Sequence, residues 1–220
     1  MADELMPGEA FAIFLTLHDD ITAIYPYEKQ ADSTAICFPD PAYLKPCDRR
    51  SLVRAVFAFI EGCFYFQRQM LLKSWGDRLN ESTKLALREM QIDVSSSGDV
   101  QTRKMRIGAL SLVKLTIQSF LTVIPDVTDV RCEGYGFDAL TRAFRVRDRL
   151  MHPKGIASLS VSDSEIRDAV DAFLWVDLIQ RTMTTASTDE MKRLLLKEHG
   201  LEVRVEFVSS GSRGSHVSEK

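Results

Sequence analysis

The sequence predicts an all-α fold, a bundle of about five to seven helices with one short strand near the C-terminus. Long apolar segments repeat with the helical period, as in FAIFLTLHDDITAIY, SLVRAVFAFIEGCFYF and IGALSLVKLTIQSFLTVI. Prolines and helix-capping residues mark where these segments begin and end. Only EVRVEF, residues 202–207, alternates like a strand, and it would be an edge strand that pairs only in a dimer.

The end signals place the individual helices. We predict helices near 8–24, 49–73, 80–91, 100–124, 137–152, 163–183 and 188–199. Asp99 is expected to cap the helix that Pro125 ends, and Ser162 with Glu165 forms a capping box for the helix that follows. A second box, Ser187 with Glu190, predicts a separate last helix.

These elements define three parts of the chain. Residues 1–48 are expected to form a helix and a Pro-containing loop that pack on the core. Residues 49–200 form the helical domain, and residues 201–220 the short strand and a disordered tail.

Composition excludes several classes of function. The formal charge of -3 excludes a polycation that coats nucleic acid, so any anion site must be local. The four cysteines form no C-x-x-C pair, which argues against a zinc site and favours reduced thiols in the cytoplasm. No cofactor or metal is indicated. The sequence shows neither a signal peptide nor an apolar run long enough for a membrane span.

Arg147 is unusual within the helix predicted for 137–152. On a helical wheel it lies within about 40° of the apolar sector of Leu140, Phe144 and Met151. Arg142, Arg145 and Arg149 lie on the opposite side, as expected for a solvated face. A guanidinium cannot lose its proton, so burying Arg147 requires an anionic partner or a bound anion.

His152 stands five residues after Arg147, directly before Pro153. The proline ends the helix at His152, which allows the ring to turn back toward Arg147. Asp148, four residues before His152, is spaced so that its carboxylate can hold one ring nitrogen. The three side chains could therefore bind an anion and move a proton.

Structural explanations of the same residues remain open. Arg147 could pair with a carboxylate such as Glu61, and His152 could cap the helix end. Glu61 lies seven residues from both Arg54 and Arg68, which predicts an ion-paired surface stripe on its helix. The basic run 103–106 is expected in the first turn of a helix, either solvated or following a nucleic-acid backbone.

The motif Arg147-Asp148-x-x-x-His152, late in an all-helical chain, resembles that of the HEPN superfamily (higher eukaryotes and prokaryotes nucleotide-binding). That motif is Arg, four to six residues, then His, with a polar residue such as Asp after the Arg. The similarity covers roughly residues 50–185 and implies a four-helix HEPN-like core within the bundle. Lys154 departs from some toxin members of the family, which have Tyr at that position.

The resemblance implies a metal-independent endoribonuclease that acts as a homodimer, as a toxin or a defence effector. His152 would take the proton from a ribose 2′-hydroxyl, Arg147 would hold the scissile phosphate, and Asp148 would orient the ring. Lys154 and Glu61 would border the substrate, with Glu61 paired to Arg147 when RNA is absent. The expected partners are RNA, a second copy of the chain and an antitoxin or other protein. The alternative is a non-catalytic HEPN-like module that binds nucleotide, RNA or a protein.

Overall fold

A computed structural model of the protein describes residues 7–29 and 36–199. The described residues form six α-helices and two small antiparallel hairpins, so the predicted all-α bundle is confirmed. The helices are α1 (Pro7–Ile24), α2 (Pro46–Ser74), α3 (Glu81–Leu87), α4 (Ala109–Val123), α5 (Tyr135–Met151) and α6 (Asp163–His199). The strands are β1 (Glu28–Lys29), β2 (Ile36–Cys37), β3 (Met90–Val94) and β4 (Val100–Lys104). Short 3₁₀ turns cover Pro41–Tyr43, Gly76–Arg78 and Ile156–Leu159.

Helix α2 is the centre of the bundle and packs against α1, α4, α5 and α6. Its Phe59 is fully buried, with its ring centroid 5.0 Å from that of Phe173 on α6. Phe57 of α2 contacts Phe144 of α5 in the same way, at 4.8 Å. Burying each such ring contributes about 1.5–3 kcal/mol to folding. These contacts fix α5 and α6 on one side of α2.

Helices α5 and α6 form the most closely packed pair. A Cβ atom on Gly136 of α5 would lie only 2.5 Å from the Trp175 side chain of α6, so the glycine permits this approach. The capping box that begins α6 is confirmed: the Ser162 N–H donates to Glu165 Oε2 at 2.9 Å, and the Glu165 N–H donates to Ser162 Oγ at 3.3 Å. The capping box therefore fixes the residue at which α6 begins after the loop from α5.

The segment between α3 and α4 was predicted incorrectly. Helix α3 ends at Leu87, and the chain then forms the β3–β4 hairpin instead of a helix capped by Asp99. The Asp99 side chain instead accepts from Ser97 in the hairpin turn, and Gly108 is the N-cap of α4. The hairpin turn contains Gly98 with a φ of 86°, a left-handed conformation that glycine adopts without strain.

The β3–β4 hairpin has an unusual distribution of side chains. Its apolar residues Ile92, Val94 and Val100 are 60 to 72% exposed, while Gln91 and Asp93 point to the half-buried face. The cross-strand register pairs Val94 with Val100. The apolar face of this hairpin therefore faces away from the described core.

Helix α6 continues through the predicted break at 184–187 as a single helix of 37 residues. The Ser187–Glu190 capping box was wrong, because the Glu190 carboxylate binds Arg78 and Arg193 instead. No glycine or proline interrupts the segment, and the i, i+3 pair of Glu190 with Arg193 supports a continuous helix.

Two further predictions concern residues that the structure does not describe. The strand predicted for 202–207 and the tail after it lie outside the described residues. All four cysteines lie within the described part and are unpaired. None of the helices described here is both long and apolar enough to cross a lipid bilayer.

Candidate functional site

The predicted site lies where α5 ends. Pro153 removes the conformation that a further helical turn would need, and His152 is the C-cap, with a φ of −129° and a ψ of 62°. The backbone N–H of His152 donates to the Asp148 carbonyl at 3.0 Å. The end of the helix thus places Arg147, Asp148 and His152 within its last two turns.

Arg147 lies on the side of α5 that faces α2, as its position on the wheel predicted. Its side chain is 28% exposed, so it is half-buried rather than enclosed. Its Nη2 lies 2.6 Å from Glu61 Oε1 of α2, and its Nη1 lies 3.0 Å from Asp148 Oδ1. The ion pair with Glu61 anticipated from the sequence is present.

The two carboxylates on Arg147 are accessible to solvent. The Glu61 side chain is 48% exposed and that of Asp148 is 64% exposed. With one guanidinium and two carboxylates the group has a formal charge of −1. An incoming phosphate would have to displace at least one carboxylate, and exposed ion pairs of this kind are worth only about 0–1 kcal/mol.

The structure does not bring Asp148 and His152 together through their side chains. The Asp148 carboxylate binds Arg147, and the exposed His152 ring makes no hydrogen bond or ion pair with any other described residue. Within one described chain, therefore, no hydrogen bond or ion pair links the His152 side chain to Arg147, Asp148 or Glu61.

The surface around His152 is partly apolar. Met151, predicted to share the buried sector with Leu140 and Phe144, is 52% exposed, and Ile156 is 91% exposed. Lys154 is also exposed, and its backbone N–H donates to Ser158 Oγ at 3.3 Å. The loop after α5 thus combines apolar side chains with a histidine and a lysine.

Glu61 also lines a cavity between α2, α4 and α5, with a volume of about 240 Å³. Its apolar lining residues include Ile60, Phe64, Ile107, Leu112, Val113 and Phe144. The charged lining residues are Glu61, Arg68 and Glu89. The Arg147–Glu61 ion pair therefore lies at the border of this cavity.

Arg68 was predicted on an exposed polar stripe of α2, and that prediction was wrong. The residue is only 8% exposed, and its Nη2 lies 3.5 Å from Glu89 Oε1. Burial lowers the pKa of Arg68, while the charge of Glu89 acts in the opposite direction. The seven-residue spacing placed Arg68 on the same side of α2 as Glu61. It could not show that Glu89, just before strand β3, and the start of α4 lie over this part of the helix.

Two arginines of α5 predicted on a solvated face are engaged in contacts between helices. Arg149 Nη2 lies 2.9 and 3.0 Å from the two carboxylate oxygens of Glu165, and it also donates to the Ser160 carbonyl at 2.8 Å. Arg142 binds Asp168 of α6 at 2.8 Å. Both contacts join α5 to α6, which assigns these arginines a structural role.

The remaining candidates lie elsewhere. Arg103 and Lys104 are on strand β4, and Arg106 follows it, so the basic run does not begin a helix. His18 of α1 lies among aromatic rings, including Phe59 and Phe173. Among the side chains that the structure describes, no group of three or more His, Cys, Asp or Glu residues could hold a metal ion.

The resemblance to the HEPN superfamily rests on the motif Arg147-Asp148-x-x-x-His152 and its helical setting. No protein-family model, no curated protein and no solved structure matches this chain.

Proposed function

We propose that this protein is a metal-independent endoribonuclease of HEPN type that acts as a homodimer. The observation that supports the proposal best is the position of Arg147, half-buried near the exposed end of α5 and five residues before a histidine released by Pro153. A cation that cannot lose its proton and an imidazole that can exchange one are the two groups that cleavage through a 2′-hydroxyl requires.

In the proposed reaction, His152 of the cleft accepts the proton of a ribose 2′-hydroxyl, and the resulting oxyanion attacks the adjacent phosphorus. The bond to the 5′-oxygen breaks, which leaves a 2′,3′-cyclic phosphate and, after protonation, a 5′-hydroxyl. Arg147 stabilises the charge that develops on the phosphate oxygens. DNA lacks the nucleophile and is not cleaved.

The homodimer supplies what a single chain lacks. Within one described chain the His152 ring makes no hydrogen bond or ion pair with Arg147, and in the proposed dimer a second copy completes the cleft in which both groups reach one phosphate. The exposed Met151 and Ile156 beside His152 provide apolar surface for that contact. In this dimer, an RNA phosphate replaces the Glu61 carboxylate on Arg147 when the substrate binds.

The decisive experiment is cleavage of labelled RNA in EDTA by wild type, Arg147→Ala and His152→Ala. Matched controls are Arg145→Ala, an exposed arginine on the same helix, and His199→Ala, an exposed histidine remote in the chain. We expect cleavage by the wild type and both controls, loss in both site variants, and cyclic phosphate ends on the products. Absence of cleavage by the wild type, or equal cleavage by His152→Ala, would contradict the proposal.

The second candidate is a non-catalytic HEPN-like module that binds nucleotide, RNA or a partner protein such as an antitoxin. The lack of a hydrogen bond from the His152 ring to Arg147 or Asp148 favours it, because a general base is normally oriented by a neighbour. RNA binding that Arg147→Ala abolishes, without turnover by the wild type, would support this candidate over the nuclease.

A further inference from the structure

The cavity between α2, α4 and α5 has the properties of a small-molecule site that borders the proposed nuclease centre and shares Glu61 with it. Most of its lining residues are apolar, three are charged, and polar atoms supply more than half of the surface that the cavity exposes. Ligand sites in proteins combine apolar lining residues with a small number of placed polar groups. A cavity of about 150 Å³ holds benzene, so a volume of about 240 Å³ suits a ligand of about ten non-hydrogen atoms.

Arg68 provides this cavity with a buried cation whose hydrogen-bonding capacity is largely unused. A guanidinium has five N–H donors in a planar fork. The contacts of Arg68 among the described residues are one 3.5 Å approach to Glu89 and the face of the Tyr65 ring at 5.8 Å. The residue is 92% buried and lines the cavity, so an anion that enters the cavity can pair with the guanidinium more closely than Glu89 does.

The N-terminus of α4 provides a second, independent attraction for an anion. Ile107, Ala109 and Leu112, before and within the first turn of this helix, line the same cavity. The N-cap is Gly108, which makes no side-chain cap, and the first turn contains no acidic residue. The free N–H groups and the positive end of the helix dipole favour a negative charge there.

From these observations we propose that the cavity binds a small organic carboxylate with an apolar body. The carboxylate forms a bidentate contact with Arg68 near the start of α4, and the body lies against Phe64, Val113 and Phe144. The planar fork of arginine matches a carboxylate in two parallel hydrogen bonds, which are stronger than the long contact that Glu89 makes.

The glutamates of the lining restrict the ligand to a single negative charge. Glu61 and Glu89 have side chains that are 48% and 45% exposed, so they stand at the open side of the cavity. Two carboxylates there repel a dianion such as a phosphate monoester. Glu89 has a backbone φ of 55°, in the left-handed region, and its side chain is the group that the ligand displaces from Arg68.

The experiment is calorimetric titration of the full chain with octanoate, which has about ten non-hydrogen atoms. The comparison ligands are 1-octanol and inorganic phosphate. We expect octanoate to bind at least about 10-fold more tightly than octanol, as a charged hydrogen bond provides. Phosphate should not bind. Equal affinity for octanol, or absence of octanoate binding at millimolar concentration, would overturn the proposal.

Variants locate the binding. Arg68→Met replaces the cation by an apolar chain of similar length and should weaken octanoate at least about 10-fold while leaving octanol unchanged. Arg54→Met, an exposed arginine on the same helix, is the matched control and should bind like the wild type. Unaltered octanoate binding by Arg68→Met would contradict the proposal.

A second variant, Glu89→Gln, tests the proposal even if Arg68→Met fails to fold. Glu89→Gln removes the competing carboxylate and should tighten octanoate binding about 3-fold or more. If Arg68→Met does not unfold cooperatively, and so is not properly folded, the proposal is judged by Glu89→Gln alone. Unchanged or weaker octanoate binding by Glu89→Gln then overturns the proposal. None of these measurements involves RNA, so they stand or fail independently of the nuclease.

Discussion

The two sides of α5 differ in how firmly their charged residues are held. Toward α6, Arg149 binds both oxygens of Glu165, and that same carboxylate caps α6 through Ser162. Toward α2, Arg147 binds Glu61 and Asp148, two carboxylates that are largely open to solvent. Arginines two residues apart thus differ in their contacts: Arg149 connects α5 to α6, whereas Arg147 has solvent-accessible partners, one of which the proposed function replaces by phosphate.

The largest effect that this comparison predicts is on RNA cleavage. Arg147→Ala should lower kcat/KM at least about 100-fold, as loss of a group that stabilises developing charge does. Its thermal midpoint should stay near that of the wild type, because only exposed ion pairs are lost. Arg149→Ala is the control: it should lower the midpoint but retain cleavage at a temperature where it is folded. Reversed behaviour of the two variants would contradict the comparison.

The next effect concerns the packed side of α5. Gly136→Ala places a methyl group 2.5 to 2.6 Å from atoms of Trp175, so α5 and α6 must separate. We expect the free energy of unfolding to fall by about 2–3 kcal/mol, measured by urea denaturation. The usual gain from replacing a helical glycine by alanine, about 1 kcal/mol, is smaller than this clash. Stabilisation by the variant would show that the close packing is wrong.

Glu165→Ala tests the joint between α5 and α6 directly. It removes the carboxylate that accepts from the Ser162 N–H in the capping box and leaves Arg149 without its partner, so the free energy of unfolding should fall by about 2 kcal/mol. Glu165→Gln separates the two contributions, because glutamine can still accept from the Ser162 N–H. An equal loss in both variants would assign the whole effect to the ion pair with Arg149.

Glu61→Gln tests the open side and should have a smaller effect on stability. The loss should be below about 1 kcal/mol, since the Glu61 side chain is nearly half exposed. If RNA phosphate replaces Glu61 on Arg147, the KM for RNA should fall in this variant. An increase in KM would instead assign Glu61 a positive part in substrate binding.

An ion pair remote from α5 provides a reference for pH experiments. Hydrogen bonds from Arg193 and Arg78 lower the pKa of Glu190 from 4.5 to about 2. A carboxyl group with a lowered pKa stabilises the fold at neutral pH, and this contribution is lost as the pH falls from about 4.5 toward 2. Glu190→Gln should be less stable than the wild type at pH 7 and closer to it at pH 3, by thermal unfolding.

Local signals in the sequence predicted most of the helices. The proline and capping signals gave α1, α2 and α5 to within three residues, because they act on the backbone within one turn. The hairpin was missed because its apolar residues point away from the core, so the pattern of Ile92 and Val94 did not resemble a buried strand. The break predicted in α6 failed because a capping pattern is only favourable when nothing else binds its glutamate, and Arg78 does so here.

The candidate site was predictable only in part. The wheel and the seven-residue spacing placed Arg147 toward Glu61, since both follow from the geometry of a helix. They could not show that Asp148 would bind Arg147 in place of His152, or that Arg68 would be enclosed beside α4. The first outcome depends on which of two nearby side chains wins the Asp148 carboxylate, and the second on contacts between segments that lie far apart in the chain.

The outward-facing apolar side chains of the β3–β4 hairpin affect how readily the protein aggregates in concentrated solution. A short sheet that presents Ile92, Val94 and Val100 outward is a template on which strands of other molecules can add. Fibrillar or amorphous precipitation should therefore start at this hairpin while the helices are still intact. Lysine in place of Val94 would delay it, which makes this residue the first to change for crystallisation or NMR.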